Sequence, residues 1–467
     1  MVKQLRAAAG VGLIVLAAAG AAPAQPAAGG HPDIRLFLQA GAAEPEQAEY
    51  ALEQLGDRWR DGYAGIVWDM AWLQRPPNLR GFARFFTLIG FLEQQTGQSF
   101  GADLQAWQRW MWGQPYEPHP DHGFFKGLWY RQIDARFAEF FPRGVESRTG
   151  LGEIEWGGVG VTGIPPLEYP ARLEADDADY LEDDHVVFGI ALNGEARAYP
   201  KRILAWHEMA LDRVGGVELT IVYCTLCGTV IPFESEPGGR YLKFGTSGLL
   251  YRSNKLMFDH QTRSLWNTFE GVPVVGELVG SGLRLTHRAV VTTTWGEWRR
   301  RHPATTVLSL DTGHRRDYSE GAAYRGYFGT DDLMFPVSRS DDRLPNKAEV
   351  LVLRLDDPAR DGAPAPLAVS ARFLDRNRLH HIDHAGRRLV VVTSEEGANR
   401  VYDAGDVRFE RQLGPQRLVD EAGRTWRLAE DAVVRDADPD DRRPRVPAHR
   451  AFWFGWYAQF PDTALID

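Results

Sequence analysis

The sequence predicts an α+β chain: an N-terminal helical region followed by a predominantly antiparallel β domain with a few short helices. Apolar residues recur at helical spacing from about residue 42 to 142. The texture then changes through Gly157-Gly158 and Pro165-Pro166 into short alternating runs bounded by turn residues. Among these, Asn193-Gly194 between Val186–Leu192 and Glu195–Tyr199 is a strong signal for a type I′ hairpin. The expected organisation is a signal peptide over 1–24, a flexible mature N-terminus over 25–41, a helical region over 42–145 and a β-rich domain over 150–467.

The first residues point to export. Lys3 and Arg6 make a basic start, Val11 to Ala19 an apolar run, and Ala22-Pro23-Ala24 a small-residue cleavage site, so Gln25 reads as the mature N-terminus. The apolar run is shorter than the roughly 20 residues that span a bilayer. No later segment is long enough and uncharged, so the mature chain is expected to be soluble, periplasmic or extracellular. Without Lys3 and Arg6 the formal net charge of −10 becomes −12. An acidic chain has no general electrostatic reason to bind nucleic acid or anionic lipid. With 467 residues and 44% hydrophobic composition, it can bury one large core or two smaller ones without disulfides.

In the helical region, Tyr50, Leu52, Leu55 and Trp59, then Phe82, Phe85, Phe86 and Ile89, then Leu104, Trp107 and Met111 mark three to five helices. Pro76-Pro77, Gly97, Gly101 and the Pro115 to Pro120 stretch punctuate them. Seven of the fifteen tryptophans fall here and are expected to pack a core. Beyond the first hairpin, Pro200 opens a short helix carrying Trp206, His207 and Glu208, and Gly215-Gly216 ends it. A strand, Val217 to Tyr223, delivers Cys224, and a returning strand runs over Thr229 to Phe233. Short strands continue from there, with a helix over Thr294 to Arg301, a hairpin over Arg378 to Val392 turning near Asp383 to Arg387, and an exposed acidic loop over Asp436 to Pro444. No internal repeat of fixed period is present.

The two cysteines of the chain, Cys224 and Cys227, lie in one stretch, Tyr223-Cys224-Thr225-Leu226-Cys227-Gly228. A pair so spaced can hold a metal, cycle as a dithiol or close a small disulfide. Thioredoxin-like sites place the first cysteine at a helix N-terminus; here Thr229, Val230, Ile231 and Pro232 predict a strand, and the shape expected is a metal-binding knuckle whose glycine allows the turn. His207, the nearest upstream histidine, would be a third ligand, leaving a fourth position to Asp259, His260, Met257 or water. Zinc accepts such a set with an open position, and copper(I) favours thiolate and thioether. Glu208 is a candidate acid or base. A dithiol without metal is the second reading, with His207 lowering one thiol pKa. The third is a structural disulfide in a binding or scaffold module for a small molecule or protein partner; so short a loop gains only about 2 kcal/mol from closure.

The Trp206-His207-Glu208 triplet, the cysteine stretch, Phe244-Gly245-Thr246-Ser247-Gly248-Leu249-Leu250-Tyr251 and Asp259-x-x-Thr262-x-Ser264-Leu265-Trp266 together resemble the bacterial family catalogued as domain of unknown function 3179. The likeness extends from about Trp156 to Phe454 and implies one domain, with no reaction assigned. Where the family has arginine after the aspartate, this chain has His260, an added candidate metal ligand. From these motifs Ser247, Tyr251 and Asp259 are candidate cofactor-binding residues. Ser247 lacks a Gly-x-Ser-x-Gly setting and reads better as part of a glycine-rich turn; no Lys-Ser/Thr follows to make a phosphate loop. His380-His381-Ile382-Asp383-His384 and His119-Pro120-Asp121-His122 are weaker metal candidates, each expected in a turn or connection.

Overall fold

A computed structural model describes residues 30–42, 44–76, 81–361 and 363–467. The expected signal peptide, the cleavage point at Gln25 and Pro77 lie outside the described residues. The chain divides into two compact units, residues 1–155 with Thr262–Leu265 and Val274–Val279, and Trp156–Gln261 with Trp266–Pro273 and Gly280–Asp467.

The first unit is helical: Ile34–Ala40, Pro45–Gly56, Ala64–Gln74, Phe82–Thr96, Leu104–Trp112, His122–Tyr130 and the short Phe137–Phe140. Helices are thus shorter and more numerous than expected, and the stretch read as a flexible N-terminus holds the first of them. Asp33 starts it by accepting the Arg35 N–H, and Asp103 caps Leu104–Trp112 through the Ala106 N–H. Gly97, at φ 70°, ends Phe82–Thr96 in the left-handed region. Trp68, Trp72, Trp107 and Trp129 are buried as expected, whereas Tyr50, Phe82 and Phe86 face outward. The core contains a polar knot in which Asp69 accepts from Lys126 Nζ (2.6 Å) and the Tyr130 hydroxyl (3.0 Å) and pairs with His122 Nε2 (2.8 Å).

The second unit is mostly antiparallel sheet. Val186–Leu192 and Glu195–Pro200 pair as the expected hairpin, with Asn193 and Gly194 both at positive φ. Lys201–His207 follows as a helix, with Pro200 in the extended cap position just before it rather than in its first turn. The helix does not run to Gly215-Gly216: it stops at Glu208, and Met209–Val214 is a strand. Gly215-Gly216, both at positive φ, are the turn into Val217–Cys224. The resulting sheet has the order Leu167–Glu168, Met209–Val214, Val217–Cys224, Thr229–Glu234. Its inner face, with Leu219, Ile221 and Tyr223, packs on Ile203 and Leu204 of the helix and Ile190 of the hairpin. Buried Arg197 ties the layers through Asp212 (2.5 Å), which also accepts the Tyr199 hydroxyl.

Three other expectations resolve in this unit. Thr294 caps the helix Trp295–Arg301. Leu379–His384 and Arg387–Thr393 form the later hairpin, turning at Ala385-Gly386. The acidic stretch read as a loop is a strand, Asp438–Val446, because its backbone pairs with Ala432–Arg435 while its charged side chains alternate into solvent. Among the described residues no helix is long and apolar enough to cross a membrane.

Candidate functional site

Val217–Cys224 and Thr229–Glu234 form a hairpin in which Cys224 is paired with Thr229, so the turn is Thr225-Leu226-Cys227-Gly228. Gly228 makes this possible: its φ of +59° suits glycine, and an added Cβ would lie 2.9 Å from the Phe452 ring. The Phe452 N–H donates to the Cys227 carbonyl at 2.7 Å and fixes the turn from the far side. Both cysteines are free and buried.

The two sulfurs are unlike each other. Burial works to raise the Cys224 thiol, yet hydrogen bonds from the Cys227 side chain and from the Lys255 and Cys227 backbone N–H groups bring it below its ordinary value, against opposition from Glu208. Burial pushes Cys227 well up, and the interaction with Cys224 adds to the rise. The Asn254 amide stands 3.5 Å from Cys227 Sγ, and the Cys227 thiol points at the Ser253 carbonyl at 3.6 Å. Asn254 is itself fixed by the Thr268 hydroxyl at 2.6 Å.

Beside the thiols lies a buried ion pair. Glu208 takes up a left-handed backbone, φ 56°, as its N–H closes the helix onto the Leu204 carbonyl. Its carboxylate accepts from the Thr225 hydroxyl (2.8 Å), the Tyr324 hydroxyl (3.1 Å) and Lys255 Nζ (3.1 Å). Lys255 also donates to the Glu208 carbonyl at 2.8 Å. Burial lowers the Lys255 pKa, while Glu208 and Cys224 favour its charge.

The segment 309–348, between the strands Thr306–Leu308 and Glu349–Asp356, has one short helix, Arg325–Phe328, and reaches this site twice. The Tyr324 hydroxyl meets Glu208, and the Tyr327 hydroxyl donates to the Leu226 carbonyl at 2.8 Å. Trp206 Nε1 holds the Asp317 carbonyl at 2.7 Å, and His207 Nε2 meets the Tyr318 hydroxyl at 2.6 Å. Trp206, His207 and Glu208 therefore act together as a clasp on this segment.

The structure gives both ring nitrogens of His207 partners other than the thiols. His207 Nδ1 faces the Pro165 carbonyl at 2.9 Å, and a carbonyl only accepts, so Nδ1 carries the proton and the Nε2 lone pair takes the Tyr318 hydroxyl. Burial depresses the ring pKa to about 4, which keeps it neutral. His260 packs against the Phe258 ring with centroids 4.7 Å apart. Among the described residues, the three-member group of His, Cys, Asp and Glu with ligand atoms within 4.8 Å of one another is Glu182, Asp184 and His185, not the thiols with His207 or His260. Two sulfurs without a third protein ligand at that spacing do not fit a zinc centre, which takes three or four. In the other histidine clusters, His122 bonds Asp69, His119 the Pro32 carbonyl, His381 the Phe409 backbone and His384 the Ala365 carbonyl.

The remaining candidates are committed within the fold. Ser247 Oγ donates to the Leu256 carbonyl (2.6 Å) and accepts the Leu249 N–H. Asp259 accepts Trp266 Nε1 at 2.9 Å, and the Tyr251 ring carries the Arg252 guanidinium at 4.8 Å. Sequence reasoning missed Lys255, Asn254, Tyr324, Tyr327 and Phe452. A lysine directly before the apolar run Leu256-Met257-Phe258 was the one available signal; the tyrosines carried none.

A family model described as "Protein of unknown function (DUF3179)" matches residues 161–463. The chain belongs to this family. No curated protein and no solved structure matches it. The DUF3179 region holds the cysteine hairpin, Glu208, Lys255 and the segment 309–348. The helices up to Phe140 lie outside it.

Proposed function

We propose that the protein is an exported thiol-disulfide oxidoreductase in which Cys224 is the attacking thiolate and Cys227 the resolving thiol. The observation that carries this reading is geometric: two free, buried cysteines share one tight hairpin turn, and the Cys227 S–H is directed at the Ser253 carbonyl at 3.6 Å, a contact that requires its proton. Cys224 attacks one sulfur of a substrate disulfide, forming a mixed disulfide and releasing the other substrate sulfur as a thiolate. Cys227 then loses its proton to solvent and attacks Cys224 Sγ, releasing the second substrate thiolate. The protein ends oxidised by two electrons and the substrate reduced by two; the reverse sequence restores the dithiol. Glu208, through Lys255, belongs to the surroundings of this chemistry, and the clasped segment controls entry. Export is supported by Lys3, Arg6, the apolar run and Ala22-Pro23-Ala24.

The test is equilibration of tag-free protein in glutathione buffers of graded poise, followed by alkylation and mass analysis. A reversible Cys224–Cys227 disulfide, and a glutathione adduct trapped on Cys224 in Cys227→Ser, are expected. Two thiols unchanged at every poise, or about one equivalent of zinc or copper masking them, would sink the proposal and revive the metal reading. Sequencing the N-terminus of protein from the exported fraction should find Gln25 first; a chain retained in the cytoplasm with Met1 intact would defeat the export claim.

A further inference from the structure

We infer that Asn254 is the positioning residue for Cys227, its side-chain N–H held on Cys227 Sγ so that the sulfur is stabilised as a thiolate when it attacks. The inference rests on the oxidoreductase reading and adds to it the group that prepares the second step.

Asn254 enters the site from a strained turn. Tyr251 pairs with Asn254, so Arg252 and Ser253 are the two turn residues, and both lie in the left-handed region, at φ 51° and 60°. L-residues disfavour that backbone, and strain of this kind gathers at functional sites. The helix Trp453–Gln459 holds the turn from outside: Arg252 donates to the Ala458 carbonyl at 3.1 Å, and Gln459 Nε2 to the Tyr251 carbonyl at 3.2 Å. The turn delivers two groups to Cys227 Sγ, the Ser253 carbonyl at 3.6 Å and Asn254 Nδ2 at 3.5 Å. Cys227, Ser253, Asn254 and Thr268 are all buried.

The two contacts favour opposite states of the sulfur. The carbonyl accepts the S–H and so suits the thiol; once the proton has gone, the amide N–H is the donor that remains. A thiol sulfur is a weak acceptor, whereas a hydrogen bond to an ionised acceptor is roughly twice as strong as a neutral one. The amide is therefore matched to the reacting state better than to the resting one. Thr268 sets its orientation. The Thr268 hydroxyl lies 2.6 Å from Asn254 Oδ1 and 2.9 Å from the Lys255 carbonyl, and it has one proton to give. Given to Oδ1, the nearer acceptor, that proton leaves Nδ2 on the sulfur. Given to Lys255, it would free the amide to turn and set Oδ1 against a thiolate, which repels it.

An aromatic disulfide whose released thiolate is coloured separates the two steps on the reduced full chain. Attack by Cys224 releases one equivalent; Cys227 then loses its proton to solvent, attacks Cys224 Sγ, closes the Cys224–Cys227 bond and releases the second. At about pH 7, Asn254→Leu should slow the second release about threefold: a thiol raised by roughly one pKa unit has about tenfold less thiolate, of which about threefold returns as greater nucleophilicity. The bend in the pH profile of that release should move up by about one unit, with the first release unchanged. Thr268→Val should slow the second release as well, and Thr268→Ser, which keeps the hydroxyl, should not. Packing alone would rank this pair the other way, because serine loses the methyl that valine keeps. A second release unchanged in Asn254→Leu, or slowed more by Thr268→Ser than by Thr268→Val, would overturn the inference; if Asn254→Leu does not fold, the threonine pair decides. The glutathione equilibration separates the two ideas, since the aromatic reagent closes any reachable dithiol. Expected release rates without glutathione exchange would remove the oxidoreductase reading and leave the role of Asn254; exchange with an unaffected second release would do the opposite. A wild type that releases one equivalent and stops would overturn both.

Discussion

Gly228 carries two constraints at once, a backbone at φ +59° and the Phe452 ring 2.9 Å from where a Cβ would stand. Left-handed backbone disfavours L-residues by about 1–2 kcal/mol, and forcing a methyl against a packed ring adds about 1–3. Gly228→Ala should therefore lose about 2–5 kcal/mol in urea unfolding; a loss of only about 1–2 kcal/mol, the backbone contribution alone, would mean that Phe452 yields freely. Gly455 presses on the site in the same way, since a Cβ there would meet Cys227 Sγ at 3.0 Å. The cysteine turn was legible in the sequence because its causes are local: a glycine, two sulfurs and β-branched flanks. Lys255 and Tyr324 meet Glu208 across 47 and 116 positions of sequence. His207 was the nearest histidine and so was read as a ligand, but its lone pair belongs to Tyr318, 111 positions on.

Among the elements, the segment 309–348 is a long connection between two strands that carries only the short helix Arg325–Phe328, and long irregular connections in compact domains commonly serve function. Its hold on the thiol site comes down to hydroxyls: Tyr324 on Glu208 and Tyr327 on Leu226, with Tyr318 on His207 further along. Removing one such hydroxyl costs about 1–2 kcal/mol of closure, or roughly a fivefold to thirtyfold rise in the open population. Tyr327→Phe should raise the alkylation rate of both cysteines in that range while leaving the circular dichroism spectrum unchanged. A rate equal to wild type would show that entry to the thiols lies elsewhere. Element identity was read well where a turn signal had one meaning, as at Asn193-Gly194. It was misread where a signal had two: Gly215-Gly216 serves as a helix stop or as a hairpin turn, and the strand Met209–Val214 decides for the turn. Asp436 to Pro444 looked like a loop because its composition is acidic, yet a solvent-facing strand needs only its backbone paired.

At the scale of the whole chain, the two units answer to pH with opposite sign. In the helical unit the Glu155 carboxyl is buried with neither oxygen hydrogen-bonded. Burial raises it from 4.5 to about 8, with Gln108, Lys126 and Arg75 nearby only moderating the rise. A carboxyl raised in the folded state is protonated there while ionised in the unfolded chain, so stability falls as pH climbs from about 4.5 to 8, by about 5 kcal/mol if the unit unfolds alone. In the β-rich unit His449, its Nδ1 on the Thr229 hydroxyl at 2.8 Å, is lowered from 6.5 to about 4 by burial. Folding there requires the neutral ring, so stability rises with pH from about 4 to 6.5, by about 3 kcal/mol, and then levels. Glu430 works in the same direction further into acid. Although burial opposes it, Arg400, His302, Arg445 and Arg301 hold its carboxyl well below 4.5, and that contribution is lost as pH falls below the unfolded value. His119 in the helical unit, lowered by burial, opposes the Glu155 trend in part. Between about pH 5 and 6.5, hydrogen-exchange protection factors, corrected for intrinsic exchange, should fall in the helices and rise in the cysteine sheet. Glu155→Gln, which keeps the shape and removes the charge, should abolish the fall in the helices and leave the rise in the sheet. Parallel pH trends in both units, or a helical trend that survives Glu155→Gln, would mean that the Glu155 carboxyl finds a partner and ionises in the folded chain.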